Sequence, residues 1–387
     1  MIRPSEAADV VVVGGGAIGL ASAVEVVARG RSVLVLDRFG MSNDRGGSAG
    51  LERQWRIQYA QEHWSRLVLD TVPLWRRLEA AAGRPLVHPT GSLWLGRRPD
   101  GAGVLDEMHA GAEVLTSLDV PFETMSAAEI GTRFGLAALP RDYQGLHQAD
   151  GGVIDVKGTL DTLIHLALGA GVRIHEYEPA LAIEPDGTGV TVRTERADYR
   201  CDSVIVTSGP FTNDLLSPLG CALDLRVFEQ SSAYFTRHTH DTDYPTWYAF
   251  GALTDGGACY GYGHNPWTGS DLIRVAPDAA RELPDAEHAT AVPDAGRIRD
   301  TADWVRTHLP GLSPQPVRRG TCLAVLPLDR ERQFFLGPLP ARVPNGERVV
   351  VQAAGWAFGF APMFGRICAD LALDGTSAHH APQLELP

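Results

Sequence analysis

The chain has 387 residues, 44% of them hydrophobic, and carries a formal net charge of −13. That length sets a soft expectation of two or three domain-sized units with apolar material for a substantial core. The negative charge repels phosphate backbones and no Lys/Arg cluster opposes it locally, so nucleic acid and anionic membrane are excluded as partners and a small-molecule ligand is expected.

From the N-terminus, the first strong signal is the apolar run Val10-Val11-Val12-Val13, which feeds into Gly14-Gly15-Gly16-Ala17-Ile18-Gly19 and then into a helical pattern. Gly14 lets the chain turn off the strand, Gly16 lets the backbone approach a pyrophosphate, and Gly19 lets the helix pack on the sheet. The phosphates would rest on the amides and positive dipole of the helix start. A second apolar strand, Val33-Leu34-Val35-Leu36, ends at Asp37, whose carboxylate can hold a ribose diol. Strand, glycines, helix, strand and acid in this order predict a dinucleotide cradle. Taken alone, that unit also suits a nicotinamide-dependent dehydrogenase or a noncatalytic flavin- or nucleotide-binding protein. The valine run lacks a basic flank and a cleavage site, and no apolar stretch reaches the ~18 residues of a membrane helix, so a cytoplasmic protein with no membrane partner is expected.

A glycine-rich turn, Gly46 to Gly50, follows. Beyond it Arg53 and Arg56 stand three apart on a segment that reads as helical, which would project both guanidinium groups from one face. Nucleotide-fold signals recur in two later blocks. One holds Gly151 to Asp155, a helical stretch Leu160 to Leu168, a strand at Val172 to Ile174, and the strand Ser203-Val204-Ile205-Val206 stopping at Ser208-Gly209. The other holds the strand Val349-Val350-Val351, the turn Ala353-Ala354-Gly355, and a helix from Phe360 through Leu373. Between the blocks, Gly91 to Gly96, Ser231 to Thr236, Tyr248 to Phe250 and Tyr260 to His264 read as antiparallel strands, and the proline-rich stretches 283–294 and 310–316 as linkers.

The predicted fold is therefore α/β: a discontinuous Rossmann-like dinucleotide-binding domain (1–85, 148–222 and 320–387) interleaved with a predominantly antiparallel β-sheet substrate domain (86–147 and 223–319). The cleft between them is the default substrate site. Five scattered cysteines argue against a disulfide framework, and neither they nor the thirteen histidines show a metal-ligand spacing, so no metal is expected.

Three features together resemble a family: the N-terminal cradle, the late cysteine in Arg318-Arg319-Gly320-Thr321-Cys322, and the closing Ala353-Ala354-Gly355-Trp356 turn. They resemble the FAD-dependent amine oxidases of the D-amino acid oxidase superfamily. More narrowly they resemble its monomeric sarcosine oxidase group and that group's nikkomycin-biosynthetic branch, which oxidises a cyclic imino acid. The likeness spans nearly the whole chain and is carried by residues 46–56, 139–143, 263–267, 321–327 and 333–337 in order.

The resemblance implies FAD, bound covalently by a thioether from Cys322 to the 8-methyl carbon, with Arg318 and Arg319 as cations to favour the thiolate if they point inward. It implies a cofactor set of Gly14, Gly16, Gly19, Asp37, Arg38, Gly47, Ser48, Gly209, Cys322, Gly355 and Gly359. It places Arg53 beside the flavin, gives Arg56 the substrate carboxylate, which a guanidinium can hold bidentately, and sets Trp356 near the ring. Asp278 could hydrogen-bond a ring nitrogen or stand as an exposed loop aspartate. Trp55, Trp247, Trp267 and Trp356 are candidate apolar walls that would keep the substrate amine neutral.

Two departures from the family matter. Gly359 stands where relatives place a lysine for the substrate carboxylate, so either Arg56 suffices alone or the acid is masked as an amide, ester or carrier-protein thioester. Arg274 stands where sarcosine oxidases use a lysine to promote the reaction with oxygen, leaving either a slow oxidase or an acceptor-dependent dehydrogenase. The implied reaction is hydride transfer from the carbon beside an amine nitrogen to flavin N5. It yields an imine that can proceed to an aromatic ring, with oxygen reduced to hydrogen peroxide, in a monomer or weak homo-oligomer.

Overall fold

The computed structural model describes residues 5–97, 105–238, 243–253, 256–268, 271–278, 280–329 and 332–387. The runs Val10–Val13, Val33–Leu36, Ser203–Val206 and Val349–Ala353 are buried at every position, as strands covered on both faces must be. They pair in parallel in the order Arg173–His175, Val33–Leu36, Val10–Val13, Ser203–Val206, Val349–Ala353, and Phe335–Pro338 adds an antiparallel edge.

Alternation along these strands divides the core. Val10 and Val12 pack with the helices Ala17–Val27, Val156–Gly169 and Ala361–Asp374 on one face. Val11 and Val13 pack on the other face against Ile183, Val190, Val192 and Tyr199 of a smaller sheet. The first and last of those helices approach closely, since a Cβ on Gly365 would lie 2.6 Å from the Ala21 Cβ.

A larger sheet stands beside this unit. Its order is Arg281–Leu283, Leu225–Arg237, Leu272–Pro277, Cys259–Gly261, Thr246–Ala249, Ser92–Arg97, Tyr143–Gln148, Glu123–Ser126, with Leu312–Pro327 also paired to Leu225–Arg237. Its pairings are antiparallel except for Thr246–Ala249 on Ser92–Arg97, which is parallel.

Two local expectations are corrected. Residues 310–316 are not a linker, because Pro314 and Pro316 sit inside the Leu312–Pro327 strand. That strand pairs with Leu225–Arg237 alone among the described strands, so its outer prolines cost no ladder hydrogen bond. The Arg53 segment is not helical either. Glu52–Trp55 is a strand paired antiparallel with Gly152–Asp155, Arg53 facing Ile154, because long-range pairing overrides a local spacing shared by exposed helices. Among the described residues, no helix is long and apolar enough to cross a membrane.

Candidate cofactor and substrate site

The glycine cradle forms where the Val10–Val13 strand meets the Ala17–Val27 helix. Gly14 has φ +106°, and a Cβ there would stand 2.5 Å from the Thr207 carbonyl oxygen, so only glycine fits. A Cβ on Gly19 would collide with the Gly14 carbonyl. Gly16 caps the helix with no side-chain hydrogen bond, leaving first-turn amides for a ligand. The Ser48 hydroxyl accepts from the Ala17 amide at 3.1 Å, which brings the glycine-rich turn against the helix start. Gly209, at φ +57°, turns the chain after the Ser203–Val206 strand on the opposite side of the cradle.

Asp37 is buried and first builds the turn: Oδ2 accepts from the Gly15 amide at 2.7 Å and Oδ1 from the Phe39 amide at 2.8 Å. Burial pushes its carboxyl above the usual range, and the two amides offset part of that. Each oxygen keeps a second lone pair at the cavity wall. Arg38 also lines the cavity, but its guanidinium lies 4.4 Å from the Phe211 ring centroid and pairs with Glu287 at 2.9 Å and Asp214 at 3.6 Å, so it shapes the rim.

From this cradle a cavity of about 800 Å³ runs between the two large sheets to Arg56, Tyr248 and Asp278. Its walls fit a flavin dinucleotide on two counts. The phosphate end is a cradle that side chains would fill. At the other end, Gln230 and Arg274, 1% and 4% exposed, line the cavity with Gln230 Oε1 and Arg274 Nε lacking any protein partner. Buried polar atoms in that state call for a polar ligand.

Cys322 lies buried on the Leu312–Pro327 strand with its neighbours facing the same cavity. Gly355, at φ +82°, donates its amide to the Val325 carbonyl at 2.8 Å and ties the closing turn to that strand. A Cβ on Gly47 would lie 3.7 Å from the Leu323 carbonyl, so the glycine-rich turn approaches the same strand. The expected cations are corrected: Arg318 and Arg319 are exposed, Arg318 stacking on Tyr234 at 5.2 Å, and the guanidinium that interacts with Cys322 belongs to Arg274. Alternation turns Arg319 to the opposite face from Cys322, while Arg318, on the Cys322 face one cross-strand pair beyond Gly320, lies outside the cavity lining.

Arg53 acts within its own loop, donating to the carbonyls of Gly47 and Ala49 at 2.6 Å and of Glu52 at 2.7 Å. Arg56 comes just after the strand, over the rings of Tyr59 at 4.6 Å and Trp94 at 5.5 Å. Burial opposes its charge, and Tyr59, Tyr248 and Glu107 around it hold it protonated. Asp278 is no exposed loop residue: it is half-buried, and its Oδ2 accepts from the Tyr248 hydroxyl at 2.5 Å. Burial pushes the Asp278 carboxyl up, while Tyr248 and Arg56 pull it back. Glu107 lines the same space and interacts with both Arg56 and Asp278, its exposure weakening each interaction.

Trp55 and Trp356 line the cavity, Trp356 being 47% exposed at its rim. The other two tryptophans do not: Trp247 is buried against Trp304 with ring centroids 4.5 Å apart, and Trp267 packs on His88. A Cβ on Gly359 would meet nothing nearer than 3.8 Å, so the position accepts a side chain. Sequence reasoning missed Glu52, Tyr59, Glu107, Gln230, Tyr248, Tyr260 and Tyr262. Of these, Tyr260 and Tyr262 had a signal, the alternation Tyr-Gly-Tyr that turns both rings to one side of a strand.

Comparison with known proteins identifies the family. The family profile described as FAD dependent oxidoreductase (DAO) matches residues 9–371. The peroxisomal sarcosine oxidase of Homo sapiens is 28% identical over 377 residues, covering 96% of this chain and 93% of that protein. A putative bifunctional amine oxidase of Dictyostelium discoideum is 29% identical over 394 residues, and this chain spans only 36% of that longer protein. The open form of NikD, described as an unusual amino acid oxidase essential for nikkomycin biosynthesis, superposes with a TM-score of 0.93 at 46% identity, covering 98% of each chain. The chain belongs to the FAD dependent oxidoreductase (DAO) family and is an FAD-dependent amine or amino acid oxidase near the monomeric sarcosine oxidases and NikD.

Proposed function

We propose that the protein oxidises the C–N bond of a cyclic or secondary amino acid, in specialised-metabolite biosynthesis in the cytoplasm. The substrate loses hydrogen from carbon and nitrogen to become an imine, and two electrons and two protons pass to oxygen as hydrogen peroxide. A ring substrate can repeat the step toward an aromatic product. FAD supplies the two-electron acceptor for this chemistry. The likeness to NikD at 46% identity supports the substrate class.

The observation that carries the reading is the charge pattern at the inner end of the cavity. Arg56 stands opposite the Asp278–Tyr248 pair with Glu107 at its side, a cation for a carboxylate facing acids for an amine, as an amino acid requires. Trp55, Trp356 and Phe358 supply apolar wall that disfavours the ammonium form. On this reading Cys322 carries the cofactor as a thioether, Arg274 is the cation that serves the reaction with oxygen, and the enzyme is a monomer or weak homo-oligomer. Residues 1–85, 148–222 and 320–387 form the FAD-binding domain, and 86–147 and 223–319 the substrate domain.

The test is anaerobic mixing of the yellow protein with a panel of cyclic, N-methyl and primary amino acids while the flavin absorbance is followed. Bleaching by the cyclic members, with a new ultraviolet band from an aromatic product on readmitting air, is the expected result. Bleaching by acyclic amines alone would overturn the ring assignment. A second reading, an amide-, ester- or carrier-masked acid oxidised with another electron acceptor, is favoured by the open position at Gly359. It predicts that amides bleach the flavin faster than free acids.

A further inference from the structure

Two guanidinium groups meet at the turn before the Glu52–Trp55 strand. A Cβ built on Gly50 would lie 3.4 Å from Arg53 Nη1 and 3.5 Å from Arg274 Nη1, so the two cations share one small region of the protein interior. Like charges so placed need a nearby anion. Glu52 is that anion: it is 2% exposed and interacts with Arg274 first and Arg53 less strongly. Its carboxylate does not form a direct ion pair with either. Oε2 accepts from the Tyr234 hydroxyl at 3.2 Å, and the neighbouring Asn265 side chain also favours the charged carboxylate. Arg274 Nη1 instead donates to the Glu52 main-chain carbonyl at 3.4 Å, and Arg274 Nε keeps no protein partner at the cavity wall.

We propose that Glu52 is a positioning residue for Arg274: held by Tyr234 and Asn265, it balances the guanidinium charge at a distance while leaving its Nε for the cofactor cavity, and so tunes the reactivity of the bound flavin toward anions and oxygen. The inference rests on the reading of Arg274 given above. It separates two jobs that a direct ion pair would merge, since charge compensation comes from the side chain and orientation from the main chain. The groups facing Glu52 are Arg274 and Tyr234 of the large sheet, Asn265, Tyr262, and Arg53 of its own strand. Burial raises the Glu52 carboxyl, so acidification protonates it early and unmasks the Arg274 charge.

The test uses the FAD-loaded protein and sulfite, an anion that bleaches oxidised flavins and needs no substrate. Glu52→Gln removes the compensating charge, so sulfite should bind about tenfold more tightly and the reduced enzyme should reoxidise several-fold faster. Glu52→Asp should restore wild-type affinity. If Glu52→Gln leaves sulfite affinity and reoxidation unchanged while Arg274→Met weakens sulfite binding, the inference falls and the Arg274 reading survives. If Arg274→Met is also without effect, the Arg274 reading itself has failed. Should Glu52→Gln not fold, Tyr234→Phe serves instead. Loss of that hydrogen bond should move the acid-side rise in sulfite affinity to higher pH, and an unmoved profile would overturn the proposal.

Discussion

The indole Nε1 of Trp75 donates to the Gly359 carbonyl at 2.9 Å, joining a fully buried residue of the Glu62–Ala82 helix to the turn that carries Trp356 into the cavity. The turn follows Gly355, has no side-chain hydrogen bond at its N-cap and buries Phe360 against Phe334 and Phe364, so the Trp75 bond anchors it alongside that packing. Trp75→Phe removes that hydrogen bond from the carbonyl and leaves a small void beside Trp55, whose ring lies 6.3 Å away. The expected loss is about 2–4 kcal/mol of stability, read by denaturant unfolding of the holoenzyme. Catalysis should weaken as well, because the Trp356 wall loses its support.

Covalent attachment gives the most direct prediction. The Cys322 side chain is buried at the cavity wall, and the cysteines Cys201, Cys221, Cys259 and Cys368 are buried away from it. Burial pushes the Cys201 and Cys368 thiols up to about 12, which makes them poor nucleophiles. Acid precipitation of the wild-type protein should leave yellow flavin in the pellet. In Cys322→Ala the flavin should leave with the supernatant, while Cys259→Ala keeps it in the pellet.

The Tyr248–Asp278 pair predicts a pH effect with a definite sign. Burial raises the Asp278 carboxyl, and the Tyr248 hydrogen bond lowers it again. An ionised Asp278 that faces the amine is lost as pH falls through that raised value, giving the acid limb of the kcat/KM profile. Tyr248→Phe removes the lowering contribution, so the limb should move to higher pH by about one unit, the equivalent of ~1.4 kcal/mol. A limb that stays in place would assign the ionisation to another group, with Glu107 the first to examine.

Much of the fold was legible because its strongest signals are local. The valine runs, the glycines of the cradle and the Asp37 strand end each follow from one stretch of chain, and the structure places them as that stretch dictates. What was misread depended on partners far away in sequence. Arg53 looked helical until Gly152–Asp155 supplied a strand to pair with. Residues 310–316 looked like a linker because only an edge position makes two strand prolines harmless. Glu107 and Tyr248 carry no motif at all, and their meaning appears only when the fold brings them to Arg56 and Asp278. Arg318 and Arg319 show the converse error: adjacency to Cys322 in sequence suggested a shared environment, but alternation turns Arg319 to the other face and Arg318 lies exposed beyond the cavity's end.

The carboxylate clamp can be dismantled and rebuilt. If Arg56 alone holds the substrate acid, Arg56→Met should raise KM for free acids by roughly 100-fold, about 2.7 kcal/mol, and leave amide analogues almost unchanged. Gly359→Lys should then return a cation from the other wall. The Cβ has room, with the Gln54 carbonyl and the Trp55 ring each at 3.8 Å, and the Trp75 hydrogen bond survives because it uses the Gly359 main chain. In the wild-type background this variant should lower KM for small free amino acids by about tenfold and slow the bulkier substrates, since one ion pair is gained and ring space is lost. In the Arg56→Met background it should recover part of the lost affinity. Steady-state kinetics on a short acid and its amide separate these outcomes: gain on the acid alone marks a true carboxylate subsite, whereas equal loss on both would mean that position 359 is kept small for a masked acid.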